Sequence, residues 1–205
     1  MLDRLRARLE TNLRSVGNGF ARLESSPTAW TMVGLATSVL AAVAYSTSGY
    51  EGEALGGVLV LVAGWFDIVD GAVARVTGRT SKRGAFLDST LDRVAEIALF
   101  GGIMLGGSSA PILVLLALSF SLLVSYTRAK GDALGVALSG VGIGERSERL
   151  LILAITSILG LLYWGVVLVI VVALFTFLER TGRAVTSLGR GVGKATPGRK
   201  QAVQS

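Results

Sequence analysis

Residues 67–92 read DIVDGAVARVTGRTSKRGAFLDSTLD and place four aspartates between two long apolar runs. Asp67 and Asp70 are three residues apart, and Asp88 and Asp92 are four apart, so each pair lies on one face of a helix. Carboxylates at the edge of a membrane segment are energetically costly unless a cation compensates them. A divalent cation is the simplest compensation, so this stretch predicts a metal site in a membrane protein.

The composition of the whole chain favours a membrane protein. Of its 205 residues, 51% are hydrophobic, and the mean hydropathy is +0.63, which is too apolar for an ordinary soluble domain. Several runs approach the ~20 apolar residues that a helix needs to cross a bilayer. We therefore expect an all-α integral membrane protein, since the helices of a soluble bundle would need polar faces.

The chain contains neither cysteine nor histidine. Disulfides, thiolate nucleophiles, zinc sites of the Cys/His type and histidine general bases are therefore excluded. Any metal or acid–base chemistry must use carboxylates, which bind oxygen-preferring ions such as Mg²⁺ or Mn²⁺.

Apolar runs and charged connections predict six transmembrane helices. Four spans cover about residues 28–48, 55–76, 84–106 and 111–130, and the run 150–178 is divided into two short helices around Tyr163-Trp164-Gly165. As a single helix that run would be too long for a bilayer of ~30 Å. In the third span, Gly102-x-x-x-Gly106 matches a small-residue packing pattern, but in a chain with 27 glycines such a match is expected by accident.

The six spans belong to a predicted membrane domain, residues 26–185, between two terminal segments. Residues 1–25 alternate leucines with arginines at helical spacing, which is typical of an amphipathic helix lying in the headgroup region. A helix packed on the protein itself explains this pattern equally well. Residues 186–205 are rich in Gly, Ser, Lys and Arg and are predicted to form a disordered basic tail.

Charge distribution predicts the orientation in the membrane. The net charge is +6 and the isoelectric point about 10.2, but nucleic-acid binding is not expected, because the basic residues mark topology. With six spans, all 20 lysines and arginines fall on one side, whereas five spans would put the tail outside. The positive-inside rule then places both termini and both aspartate pairs in the cytoplasm, in a multi-pass protein of the cell membrane.

Small residues one turn from the aspartates leave room for a bulky ligand. Gly71, Ala74 and Gly84 all lie on the carboxylate faces, and Arg75 offers a fork of donors suited to a phosphate. Two Mg²⁺ ions bridged by aspartates would stabilise the attacking and leaving oxygens of an in-line phosphoryl transfer. Salt bridges from the aspartates to nearby arginines are the structural alternative, which leaves the small residues unexplained.

The spacing Asp67-x-x-Asp70-Gly71-x-x-Ala74-Arg75, followed after eight residues by Gly84-x-x-x-Asp88-x-x-x-Asp92, resembles the signature of the CDP-alcohol phosphotransferases. These integral membrane enzymes make phospholipid headgroups, and all eight fixed positions match. The resemblance implies two divalent ions, Mg²⁺ or Mn²⁺, that hold the CDP diphosphate, and a homodimer.

The resemblance also implies a role for each matched position. Asp67, Asp70 and Asp88 would bind the two ions, and Asp92 would contact the second ion and deprotonate the acceptor hydroxyl. The implied nucleotide-binding positions are Gly71, Ala74, Arg75 and Gly84. The donor would be CDP-diacylglycerol or CDP-archaeol, and CMP would leave.

The acceptor is indicated by a second basic set. SYTRAKGDALG at 125–135 and GIGERSER at 142–149 resemble the family branch that makes phosphatidylinositol phosphate or archaetidylinositol phosphate. The acceptor would then be inositol 1-phosphate. Its phosphate would be bound by basic residues from three helix ends: Arg128, Lys130, Arg146, Arg149, Arg180 and Arg183.

Alternatives remain open at this point. The same chemistry with glycerol-3-phosphate or another alcohol fits the signature, and the basic set could serve only topology and attraction to anionic lipid. A divalent-cation transporter or a lipid-binding scaffold is the non-enzymatic alternative. A transporter should carry polar residues along a full crossing path, whereas the acids here stop at one face.

Overall fold

The computed structural model describes residues 13, 15–23 and 26–192, and every regular element in these ranges is an α-helix. The predictions for residues 1–12 and for the tail beyond 192 fall outside the described residues. A short helix α1 covers 15–23. Six helices follow: α2 (Pro27–Ser46), α3 (Tyr50–Val76), α4 (Lys82–Gly106), α5 (Pro111–Ala133), α6 (Arg146–Ile158) and α7 (Leu162–Val192).

Four of these helices are long and apolar enough to cross a bilayer: α2, α3, α5 and the segment Leu162–Gly189 of α7. Helix α4 carries the charged residues of the signature in its first turns, and α6 has only 13 residues, a length of about 20 Å. The all-helical membrane fold is thus confirmed, whereas six complete crossings stay a prediction.

The apolar run 150–178 is divided, as expected, but the break lies earlier than predicted. Helix α6 ends at Ile158 and α7 begins at Leu162, so Tyr163-Trp164-Gly165 is already helical. Gly160 adopts a φ of 71°, a left-handed conformation that glycine takes without a steric penalty. Helix α7 also continues to Val192, into the predicted disordered tail. Apolar Val185 and Leu188 extend its helical pattern past residue 185.

The described part of the N-terminal segment packs on the protein. The Phe20 ring lies edge-on to Trp30 with centroids 5.0 Å apart, and Trp30 stacks on Phe66 at 5.9 Å. A Cβ on Gly17 would lie 2.8 Å from the carbonyl oxygen of Ala72, so α1 lies very close to α3. An amphipathic helix on the protein surface accounts for these contacts, and its place in the headgroup region stays a prediction.

Helix α2 packs against both α3 and α4, while α6 packs against α3 and α7. The loop 77–81 holds the end of α3 near the start of α4, where the Ser81 hydroxyl accepts a hydrogen bond from Gly84 N at 3.0 Å. Added Cβ atoms on Gly102 and Gly106 would collide with the backbone of Ala42 and Tyr45. The Gly102-x-x-x-Gly106 pattern is therefore a close helix contact, and the expectation that it is accidental was wrong.

Candidate active site

Three of the four aspartates form a carboxylate cluster between α3 and α4. Asp67, Asp88 and Asp92 each contribute an oxygen, and these oxygens lie within 4.8 Å of one another. Two oxygens that bind one divalent ion at 2.0–2.6 Å are at most about 5 Å apart. The spacing therefore fits a shared cation.

A second observation, on Asp88, also indicates a metal ligand. Its buried Oδ1 has no hydrogen-bond partner among the residues that the structure describes. A buried carboxylate oxygen without a donor is costly unless a cation or another ligand satisfies it. The donor set of the cluster is all carboxylate, which is the preference of Mg²⁺ and Mn²⁺.

Asp70 lies beside this cluster. It is buried, and its Oδ2 accepts a hydrogen bond from the Thr31 hydroxyl at 2.7 Å. Thr31 was missed by the sequence analysis. The one available signal was a hydroxyl in the first turns of an otherwise apolar helix, which does not reveal a partner 39 residues away.

A cavity of about 400 Å³ opens on one side of the aspartates. All four predicted nucleotide-binding positions line it together with Asp70 and Asp88: Gly71, Ala74, Arg75 and Gly84. An added Cβ on Gly71 would meet only the Arg75 guanidinium, at 3.8 Å, so Gly71 opens onto the cavity. On Gly84 the Cβ would lie 3.1 Å from the Ser81 hydroxyl that caps α4. The absence of a side chain at Gly71 therefore leaves space in the cavity, whereas at Gly84 it leaves space for the Ser81 hydroxyl.

A second cavity of about 500 Å³ lies on the other side of Asp88 and is bordered by Asp92. Four of the six predicted acceptor-binding residues line it: Arg128, Arg146, Arg149 and Arg180. Lys130 is exposed in the last turn of α5. Arg183 is also exposed and forms an ion pair with Glu179 at 2.7 Å. The basic set is thus brought together only in part.

Arg146 connects the carboxylate cluster with the second cavity. Its Nη1 lies 2.6 Å from Asp92 Oδ1 and 3.3 Å from Asp67 Oδ1. The guanidinium therefore offsets the repulsion between carboxylates that burial would otherwise strengthen. Arg93 adds a weaker contact to Asp92, at 3.4 Å.

Arg149 lies one turn further along α6 in a fully buried ion pair. Its Nη2 is 2.6 Å from Glu96 Oε1, its Nη1 donates to the Gly144 carbonyl at 2.5 Å, and the two side chains are 1% and 0% exposed. Glu96, one turn after Asp92, was also missed by the sequence analysis. An acid inside the apolar run VAEIALF was the signal that could have found it.

Together these groups suit phosphoryl transfer between two ligands. The cavity with small residues and the cavity with arginines share Asp88 and Ala85 as lining residues. The carboxylate cluster lies where ligands in the two cavities would meet. Asp92 borders the second cavity, where a bound hydroxyl would be within reach of a carboxylate base.

Comparison with known proteins agrees with the phosphoryl transfer that the site suggests. The family model described as CDP-alcohol phosphatidyltransferase matches residues 25–179. The archaetidylinositol phosphate synthase of Pyrococcus horikoshii is 34% identical over 191 residues, which cover 93% of this chain and 100% of that protein.

Solved structures of the phosphatidylinositol phosphate synthase of Mycobacterium tuberculosis have the same fold. The crystal structure with CDP-DAG bound has a TM-score of 0.73 at 26% identity and covers 93% of this chain and 98% of that one. The crystal structure in complex with manganese and citrate has a TM-score of 0.73 at 27% identity, with coverages of 85% and 89%. Because the family model spans well over half of the sequence and carries the whole aspartate signature, the chain belongs to the CDP-alcohol phosphatidyltransferase family of metal-dependent membrane enzymes.

Proposed function

We propose that the protein transfers the phosphatidyl or archaetidyl group of a CDP-linked lipid to a hydroxyl of inositol 1-phosphate and releases CMP. The observation that carries the proposal is the pair of cavities that share Asp88, one lined by small residues and Arg75, the other by arginines. An arginine-lined wall suits an acceptor that carries its own phosphate, since guanidinium groups bind phosphate through paired hydrogen bonds. The names of the relatives support the same acceptor.

Family membership favours an enzyme over the transporter and scaffold alternatives. Asp67, Asp70, Asp88 and Asp92 would hold two divalent ions, Mg²⁺ or Mn²⁺, as in the family resemblance. The oxygen spacing and the manganese-bound relative support such ions. Bound there, the ions would supply charge neutralisation at the transferred phosphate.

The residues of the chain then have separate tasks. Gly71 and Ala74 admit the cytidine diphosphate group to the first cavity, and Arg75 binds its phosphate. Asp92 accepts the proton of the acceptor hydroxyl as the oxygen attacks the lipid-linked phosphorus, and the bond from that phosphorus to CMP breaks. Arg128 and Arg146 hold the acceptor phosphate.

The placement in the membrane follows from the same proposal. Helices α2 to α7 would form six spans of a domain covering 26–185, with residues 1–25 at the membrane surface and 186–205 as a basic tail. The one-sided distribution of lysine and arginine supports a cytoplasmic site and cytoplasmic termini. A homodimer is part of the proposal on the strength of the family resemblance.

CMP release tests the proposal. Purified protein with Mg²⁺ receives CDP-diacylglycerol or CDP-archaeol, and inositol 1-phosphate, glycerol-3-phosphate, serine and free inositol are compared as acceptors. Release with inositol 1-phosphate alone is expected. Release with glycerol-3-phosphate instead would keep the chemistry and overturn the acceptor, and no release with any pair would overturn the proposed reaction.

A further inference from the structure

Thr31 lies in the second turn of α2, outside the aspartate signature, and its hydroxyl contacts Asp70 of α3. Resting on the proposed function, we infer that Thr31 is a positioning residue for the metal site. Its hydroxyl holds the Asp70 carboxylate at the side of the first cavity, where Asp70 binds an ion that also contacts the CDP diphosphate. Thr31 acts through Asp70 and binds neither the metal nor the nucleotide itself.

The hydrogen bond between the two side chains is short and has one direction. Thr31 Oγ1 lies 2.7 Å from Asp70 Oδ2 and 3.2 Å from the carbonyl oxygen of Pro27. A hydroxyl has one proton, and a carboxylate is the stronger acceptor, so the proton is donated to Asp70. Asp70 is only 8% exposed, so water is a poor substitute for this donor. The bond occupies Oδ2 and leaves Oδ1 for a cation.

Asp70 differs from Asp67 and Asp92 in the kind of partner that it has. Arg146 pairs with both of those carboxylates, and Arg93 pairs with Asp92. Among the residues that the structure describes, no basic side chain pairs with Asp70, whose side-chain partner is a neutral hydroxyl. A neutral donor orients a carboxylate and leaves its charge for a metal ion, whereas a guanidinium already neutralises it.

The location of Asp70 also separates it from the carboxylate cluster. It is not one of the three aspartates whose oxygens lie within 4.8 Å of one another. Of the two large cavities, Asp70 lines only the first and Asp92 only the second, while Asp88 lines both. Thr31 lines the first cavity as well. It therefore fixes the carboxylate that distinguishes the first cavity from the second.

The packing of α2 on α3 places Thr31 opposite Asp70. Trp30 stacks on Phe66, which is one turn before Asp70, with ring centroids 5.9 Å apart. A Cβ on Gly34, one turn after Thr31, would lie 3.4 Å from Phe66 Cβ, so the glycine lets the two helices approach closely. The branched side chain of threonine also has few rotamers in a helix. The position of the hydroxyl is therefore set by helix packing.

Removal of the hydroxyl alone tests the inference. Thr31→Val keeps the shape of the side chain and removes the donor, whereas Thr31→Ser keeps the donor and removes a methyl group. Thr37→Val is the matched control on the same helix. Thr37 is buried, and its hydroxyl donates to the Val33 carbonyl at 2.8 Å, so this variant loses a comparable hydroxyl that has no carboxylate as its partner.

Mn²⁺ binding is the first measurement, made in the presence of CDP from the electron paramagnetic resonance signal of the free ion. We expect Thr31→Val to weaken the binding of Mn²⁺ about tenfold, because loss of a hydrogen bond to a metal-binding carboxylate typically costs about 10–100-fold in metal affinity. Thr31→Ser and Thr37→Val should stay within about twofold of wild type. The Tm in detergent shows whether each variant is folded.

CMP release at increasing Mn²⁺ concentration is the second measurement. Thr31→Val should need about tenfold more Mn²⁺ for its half-maximal rate, and saturating Mn²⁺ should restore kcat to within about twofold of wild type. At limiting Mn²⁺ the KM of the CDP-lipid should rise, while the KM of the acceptor should stay within about twofold. This difference is expected because Asp70 lines the first cavity and not the arginine-lined one.

Three results would overturn the inference. The first is unchanged or tighter Mn²⁺ binding in Thr31→Val, which would mean that the hydroxyl contacts the nucleotide or only packs. The second is an equal loss in Thr31→Ser, and the third is a lowered kcat that saturating Mn²⁺ does not restore. If Thr31→Val does not fold, Thr31→Ala replaces it, because alanine removes the hydroxyl without adding bulk. The same loss is then expected, and wild-type Mn²⁺ affinity would sink the idea.

Failure of the proposed function would look different. Wild-type protein that binds Mn²⁺ and CDP but releases no CMP with any acceptor would refute the proposed reaction. The Mn²⁺ affinities of Thr31→Val, Thr31→Ser and Thr37→Val do not depend on turnover, so their order would still decide the role of Thr31.

Discussion

Asp92 is the residue on which the proposed chemistry depends most. It belongs to the carboxylate cluster, pairs with Arg146 at 2.6 Å and borders the arginine-lined cavity. We expect Asp92→Asn to lower kcat about 10²–10⁴-fold, because an amide cannot accept the hydroxyl proton. CMP release measures kcat, and binding of CDP-lipid, which should stay within about twofold of wild type, is the control. Turnover near the wild-type rate would remove the base role.

Gly71 is predicted to admit the nucleotide by its lack of a side chain. Gly71→Leu should weaken CDP binding at least about tenfold, because the new side chain would enter the 400 Å³ cavity beside Arg75 without disturbing the protein. Gly64→Leu is the matched control on the same helix, since a Cβ there meets nothing within 4 Å. CDP affinity is measured by calorimetry for both. Equal affinity in the two variants would contradict the role of Gly71.

At the scale of helices, α4 and α6 are joined by two parallel ion pairs. Asp92 and Glu96 lie one turn apart on α4, and they face Arg146 and Arg149, one turn apart on α6. The outer pair belongs to the active site, whereas the inner pair is fully buried. Helix α6 itself packs against α3 and α7. The long side chains therefore connect α4 with α6.

Breaking the inner pair should destabilise the protein strongly. Glu96→Gln leaves the buried Arg149 charge unpaired, which costs about 3–5 kcal/mol of unfolding free energy. Glu179→Gln, which breaks an exposed i,i+4 pair, should cost at most about 0.5 kcal/mol. Thermal unfolding in detergent compares the two variants. Equal Tm values would show that the Glu96–Arg149 pair contributes no more than a surface pair.

At the scale of the whole molecule, the one-sided distribution of lysine and arginine predicts the orientation in the membrane. The chain has no native cysteine, so single cysteines can be introduced into an unreactive background. The exposed Ala110, between α4 and α5, and the exposed Ser139, between α5 and α6, lie at opposite ends of α5.

The positive-inside rule predicts different reactivity for cysteines at these two positions. In intact cells, Ala110→Cys should react with a membrane-impermeant maleimide, and Ser139→Cys should react only after the membrane is opened. Labelling is measured by gel shift. The reverse pattern would place the active site outside, and labelling of both positions in intact cells would mean that α5 does not span.

The sequence alone determined the family, the helical membrane fold and most of the carboxylate site. These features are local: residues three or four apart share a helix face, so Asp67 to Asp92 and the small residues between them reveal a site without any tertiary contact. Apolar run lengths likewise predicted α2 to α5 to within a few residues at most ends. The start of α3 at Tyr50, the break at Gly160 and the length of α7 differed, because helix ends depend on single backbone conformations.

Only the tertiary structure decided which groups each basic residue contacts. Arg146, Arg149 and Arg180 follow the same pattern in the sequence, a basic residue at a helix end near the predicted cytoplasmic side. Their partners come from distant segments: Asp92 for Arg146, Glu96 for Arg149, and Glu145 with two backbone carbonyls for Arg180. Whether a buried arginine binds a ligand or holds the protein together depends on those partners, and helix packing brings them into contact across 35 to 56 residues of sequence.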